Sequence, residues 1–174
     1  MARPIPESAQ VVKQRRDAAL NAIVEGVPYI RFLNIDFDRR GDELTGVLNF
    51  DQKLIGNPLL PALHGGVTAA FLEVTAVITL SWDTFLPRIE SGEMDAQDIL
   101  KSENVRFPKT VDFTVDYLRS GLPRDAYARA FISRAGRRYA SVRVEAWQDN
   151  HARPYAQASG HFLMPQSKPE KEKP

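Results

Sequence analysis

From Gly66 to Trp82 the chain reads GVTAAFLEVTAVITLSW, apolar at most positions, free of breakers, and carrying one charged residue, Glu73. The run is longer than an ordinary strand. It therefore predicts a helix, although Val74, Val77 and Ile78 lower its propensity. A helix apolar nearly all round is a buried helix. It falls short of the ~20 residues that cross a bilayer, and a carboxylate sits at its middle. Whatever else the chain forms must therefore wrap this helix.

The remaining segments suit that task. A length of 174 residues with 43% hydrophobic and 26% charged content fits one globular unit with a sizeable core. ESAQVVKQRRDAALNAIVEG reads as an amphipathic helix, with Val12, Ala19, Leu20, Ile23 and Val24 at helical spacing, Gly26 as stop and Pro28 after it. YIRFLNIDF and ELTGVLNF read as two strands separated by the turn DRRGD. Thr84 to Lys109 is polar and irregular, with a short helix expected near Met94–Leu100; we read it as a surface excursion and a candidate lid. The last third changes period. TVDFTVDYL alternates with Val111, Phe113, Val115 and Tyr117 on one face, and AYARAFISR, YASVRVEAW and YAQASGHFLM follow as strands. The expected fold is α+β, one antiparallel sheet covering one long helix. Residues 1–26 form an N-terminal helix, residues 27–164 the main domain, and residues 165–174, ending in SKPEKEKP, a disordered tail.

Composition removes several classes of function. A net charge of +1, from 23 basic and 22 acidic residues, gives no electrostatic reason to bind nucleic acid or an anionic membrane. With no cysteine there is no disulfide, thiol nucleophile or cysteine metal site. His64, His151 and His161 lack ligand spacing, so no metal is expected. Neither a glycine-rich phosphate loop nor a Gly-x-Ser-x-Gly elbow is present. The N-terminus, MARPIPESAQ, lacks the apolar core of a signal peptide, and a cytoplasmic location is expected.

Glu73 then demands an account, because burying an unpaired carboxylate costs several kcal/mol or pushes its pKa up. Two readings stand: a pairing with an arginine, or a functional carboxylate. The residues one turn away on its own face are Ala69, Ala70, Ala76 and Val77, which leave space beside it. The helix also starts at a Gly-Gly pair after His64. A helix's first turn carries unpaired N–H groups, and glycines let a substrate approach them. A thioester carbonyl aimed at the Gly65 or Gly66 N–H would have its oxyanion stabilised there; His64 either assists or orients the turn. From Gly65 to Glu73 is about 12 Å of helix rise. A base must lie within roughly 3 Å of its target or of one bridging water. One helix cannot bring both groups to one carbonyl, whereas two antiparallel copies can. If the site is catalytic, a dimer with composite sites is expected.

LHGGVTAAFLE, with the acid nine positions after the histidine, together with VDFTVDYLRSG and the GRR turn downstream, resembles the hotdog-fold acyl-CoA thioesterases. The branch is that of the phenylacetate-pathway and 4-hydroxybenzoyl-CoA enzymes. The resemblance implies a curved antiparallel sheet around a central helix, and hydrolysis of an acyl-CoA thioester. It implies Glu73 as nucleophile or general base, the Gly65 N–H as oxyanion donor, and His64 and Gly66 beside them. Asn57 matches the residue that holds the thioester or the water, offset by one position. Val77 stands where some relatives carry a hydroxyl. Coenzyme A is part of the substrate, so no separate cofactor is implied; Arg119, Ser120, Arg137 and Arg138 are the candidates for its phosphates. A homodimer or a dimer of dimers is implied. Two other functions compete. Val77 and the offset Asn57 suit a catalytically silent acyl-CoA-binding dimer. A hotdog dehydratase or hydratase is disfavoured, because Phe50 and Asp51 stand where its upstream histidine would be.

Overall fold

In the computed structural model, which describes residues 7–101 and 106–166, the apolar run forms the helix α3 (Gly65–Glu90). It continues past Trp82 because its buried stripe continues: Ile78, Trp82, Phe85 and Ile89 recur at helical spacing, each less than 10% exposed. The helix thus extends eight residues beyond Trp82, where Asp83, Thr84 and Pro87 hide that stripe in the sequence. Phe71, Leu72 and Ile78 are fully buried, each worth roughly 1.5–3 kcal/mol.

Around α3 lie β1 (Ile35–Arg40), β2 (Glu43–Leu48), β5 (Lys109–Tyr117), β6 (Ala126–Ala135), β7 (Tyr139–Trp147) and β8 (Ala156–Leu163). Among the described residues they form one sheet in the order β1-β2-β6-β7-β8-β5, every neighbouring pair antiparallel. Period-2 alternation puts Ala140, Val142, Val144 and Ala146 of β7 against the helix, with Ser141 and Arg143 on the outer face. Gly46 of β2 permits the close approach of α3: a Cβ there would lie 2.8 Å from the Thr75 hydroxyl. A short hairpin of β3 (Ile55–Asn57) and β4 (Ala62–Leu63) leads into α3.

Three expectations need correction. Tyr29 to Phe32 is not strand: Pro28–Phe32 forms the short helix α2, for which Pro28 is a favourable first residue. The excursion after Thr84 is not irregular up to Lys109. It completes α3 and then forms α4 (Ala96–Lys101), which packs on α1 (Ala9–Glu25) through buried Ile99 rather than covering a site. Val111 is 58% exposed, because β5 carries a bulge between Thr110 and Asp112. The SKPEKEKP tail, residues 167–174, lies outside the described residues.

Helix α1 is capped by the Ser8 hydroxyl, which accepts the Val11 N–H at 3.3 Å. It is tied to β1 by Arg39, whose guanidinium donates to Asp17 at 2.6 Å, and to the end of α3 by an Arg16–Glu90 pair.

Candidate functional site

The first turn of α3 is set by His64. Its ring Nδ1 accepts the Gly66 N–H at 2.9 Å, and its backbone N–H donates to Leu54 O at 2.8 Å. Gly66 must be small, since a Cβ would lie 3.0 Å from that Nδ1. On the other side of the turn the Tyr117 hydroxyl donates to Gly65 O at 2.8 Å. The peptide joining Gly65 to Gly66 is thereby held at both ends, its carbonyl by Tyr117 and its N–H by His64. Gly65 is the first helical residue, and among the described residues its N–H has no partner. Of the two glycine donors, only that of Gly65 is left for a ligand.

Glu73 is half-buried rather than sealed in the core. Among the described residues no arginine or lysine pairs with it. Its partner is the Thr110 hydroxyl, which donates to Oε1 at 2.5 Å, leaving Oε2 uncommitted. The bulge explains the contact. Strict alternation with Phe113 would turn Thr110 outward. One extra residue, Val111, turns it inward, opposite buried Phe162. Thr110 thus supplies from a strand the hydroxyl that Val77 lacks on the helix. Within the protomer the two halves of the site lie apart: Glu73 meets the start of β5, and Gly65 its end.

The remaining candidates are placed as follows. Asn57 Oδ1 accepts the Leu59 N–H at 3.0 Å and so braces its own loop before α3. Val77 is half-buried against the core. Arg119 and Ser120 line a cavity of about 340 Å³ beside Gly65, with Thr68, Tyr117 and Tyr155. The Arg119 guanidinium donates to Pro154 O at 2.6 Å. Arg137 and Arg138 sit on the β6–β7 turn, at the end of the sheet where β5 begins and away from Gly65. Thr110, Thr68 and Tyr155 were not found from the sequence. The bulge hides the first, and nothing in the local pattern marks the other two.

One antiparallel sheet around one long central helix is the hotdog fold. The chain belongs to the thioesterase superfamily, whose profile matches residues 60–155. It is similar to the medium/long-chain acyl-CoA thioesterase YigI of Escherichia coli (strain K12), at 32% identity over 120 residues, 68% of this chain and 74% of that protein. A Chromobacterium violaceum protein of known structure is 33% identical with a TM-score of 0.60, over 91% of this chain and 99% of that one. The fold is shared with the BH2602 protein of Bacillus halodurans, solved with CoA, at 19% identity and a TM-score of 0.60, over 95% and 98% of the two chains.

Proposed function

We propose that the chain hydrolyses acyl-CoA thioesters with medium to long acyl groups, as the YigI relative's name states for that protein. The observation that carries this reading is the Glu73 carboxylate. It has no cationic partner among the described residues, is held at one oxygen by Thr110, and lies beside an open strand edge.

Strand β5 ends the sheet, is nine residues long and exposes Val111 and Tyr117. Such an edge is a template for pairing. A second copy pairing antiparallel about Thr114, with Phe113 opposite the mate's Val115 and the bulged Val111 left unpaired, sets Thr110 opposite the mate's Tyr117 and keeps both helices on one face. Glu73 of one protomer then faces the Gly65 N–H of the other, which resolves the separation within one chain.

In that composite site Glu73 Oε2 takes a proton from water as the water oxygen attacks the thioester carbonyl carbon. The oxyanion forms on the Gly65 N–H. Collapse breaks the carbon–sulfur bond, the thiolate leaves with the proton, and the free acid remains. His64 and Tyr117 act as positioning residues, and no further cofactor is required by these steps.

The test is thiol release from a panel of acyl-CoAs by the wild type and Glu73→Gln. The expected result is turnover by the wild type and a loss on the order of a thousandfold in the variant, with acyl-CoA still bound. Binding without turnover in both would establish a silent acyl-CoA-binding protein instead.

A further inference from the structure

Strand β5 presents Asp112, Thr114 and Asp116 to solvent on the face of the sheet turned away from α3, while Phe113 and Val115 pack toward the core. Each carboxylate is held by its neighbour on β8. His161 Nδ1 lies 3.0 Å from Asp112 Oδ1 and 3.1 Å from Oδ2, and the Gln157 amide donates to Asp116 Oδ2 at 3.1 Å. The two partners differ in kind. An amide is neutral at every pH, whereas an imidazole changes charge between about pH 5 and 8.

The seam described above, with Thr114 opposite its own copy, sets Asp112 opposite the mate's Asp116, and symmetry repeats the pair. Directly opposed residues of an antiparallel pair stand roughly 4.5–5.5 Å apart at Cβ, and like charges there oppose pairing. Four carboxylates thus meet across the seam. The other charges near them are fixed around neutrality. Arg143 pairs with Glu145 at 3.6 Å and lies over the Phe131 ring of β6, away from the seam. Arg134 stands opposite Ser141, which in turn neighbours His161, and Lys109 stands opposite Leu163 at the start of β5. Beside Asp116, Gln157 is followed by Glu145 on β7. Among the described residues next to the opposed carboxylates, His161 is the one whose charge changes near neutral pH.

Resting on the thioesterase reading and its composite site, we infer that the Asp112–His161 pair makes assembly of the active dimer proton-linked. Closing the seam gives His161 a second carboxylate, the mate's Asp116, beside Asp112. The protonated ring is thereby favoured in the dimer over the single chain, so association takes up protons. Dimer stability that depends on this charge is present below the histidine range and is lost as pH rises through it. Because Gly65 and Glu73 of one site come from different chains, the same protons control how many sites are complete. They do so from the outer face of the sheet, without meeting the thioester.

The test compares the wild type, His161→Gln and Asp116→Asn at about pH 6 and about pH 8. The dimer dissociation constant is read from sedimentation over a dilution series. Where the dimer is too tight for that, the rate of subunit exchange between donor-labelled and acceptor-labelled chains replaces it. The wild-type constant should be about tenfold higher at the upper pH, from two rings each favoured about threefold. The difference should shrink as NaCl is raised. His161→Gln should behave at both pH values as the wild type does at the upper one. Asp116→Asn should hold together more tightly there and vary little with pH. Equal values at both pH values in the wild type, or a dependence that survives in His161→Gln, overturns the inference and leaves the thioesterase reading standing. A chain that stays monomeric throughout overturns both the composite site and the proton linkage. A dimer with the expected pH dependence that releases no thiol from acyl-CoA overturns the thioesterase reading alone.

Discussion

The Thr110 hydroxyl donates to Glu73 Oε1 at 2.5 Å across thirty-seven positions of sequence, joining the edge strand to the central helix. A hydroxyl bonded to a carboxylate is charge-assisted and short, worth about 1.5–3 kcal/mol. It fixes which oxygen of Glu73 is free and where that oxygen points. Thr110→Val keeps the shape and removes the donor. The expected outcome is a kcat lower by about 10- to 100-fold with KM nearly unchanged, and recovery of most of that loss in Thr110→Ser. Full activity in the valine variant would show that the contact has no part in the reaction.

His64 is a helix cap whose ring nitrogen does the work that a serine or asparagine oxygen does elsewhere. His64→Ala should cost about 1 kcal/mol of stability in denaturant unfolding. Gly66→Ala should cost a similar amount, about 1 kcal/mol, because its Cβ displaces the ring. His64→Asn restores a capping acceptor and should restore both stability and most of the activity. An asparagine variant that is stable yet inactive would assign chemistry to the imidazole itself.

Much of this arrangement was legible in the residue pattern, and the exceptions have physical causes. The HGG-to-Glu73 spacing places both groups on one helix by rise alone, and the alternation of β6, β7 and β8 fixes which faces meet it. Thr110 was hidden because a bulge changes the side-chain parity of a strand, and nothing local in TVDFTVDYL signals one. Tyr29 to Phe32 read as strand because Tyr29, Ile30 and Phe32 carry strand propensity, while the proline before them at the first position favours a turn of helix. Tyr155 and Thr68 meet only through tertiary packing between distant segments, beyond the reach of any periodicity.

Asp17 gives a pH dependence with a definite sign. Burial acts to raise its pKa, yet hydrogen bonds from Lys13 and Arg39 outweigh that, and the carboxyl is held below its ordinary value. A folded-state pKa below the unfolded one means stability that is present above the unfolded value and lost as pH falls through the folded one. Stability tied to this pair should thus decline below about pH 4. Asp17→Asn should remove that part of the acid dependence. At pH 7 it should cost about 2 kcal/mol, since the Arg39 side chain, 5% exposed, loses its partner while Asp17 itself is partly screened. Urea unfolding of both proteins from pH 3 to 7 measures it; parallel curves would show that the pair has no part in the acid dependence, and coincident curves that it contributes nothing.

Burial pushes the Tyr155 phenol up to about 12, the nearby Thr68 acting in the opposite direction. Of the five tyrosines, this one should remain neutral longest in an ultraviolet titration. A raised folded-state pKa means that its contribution to stability is intact below about pH 10 and is lost as pH rises through the folded value. Because the hydroxyl is unpartnered, Tyr155→Phe should match or exceed the wild type by up to about 1 kcal/mol in unfolding at pH 7. A loss of stability would show that the hydroxyl contributes to the core's own packing.

The composite site can be tested by removing one half from each of two chains. Gly65 is the first residue of α3, a position where proline is tolerated, and His64 before it has φ −61° and ψ 134°, the extended backbone that precedes proline well. A Cβ at 65 would meet Tyr117 at 3.5 Å, an ordinary contact. Gly65→Pro therefore deletes the proposed oxyanion donor while leaving the helix start in place, and should lower kcat by about 100-fold or more. Glu73→Gln deletes the base. Each homodimer is then inactive for a different reason. Unfolded together and refolded as a mixture, half of the dimers at random pairing are mixed. Each of these holds one site with Gly65 from one chain and Glu73 from the other, so about a quarter of wild-type activity should return. If donor and base came from the same chain, every site in the mixture would lack one of them and no activity would return.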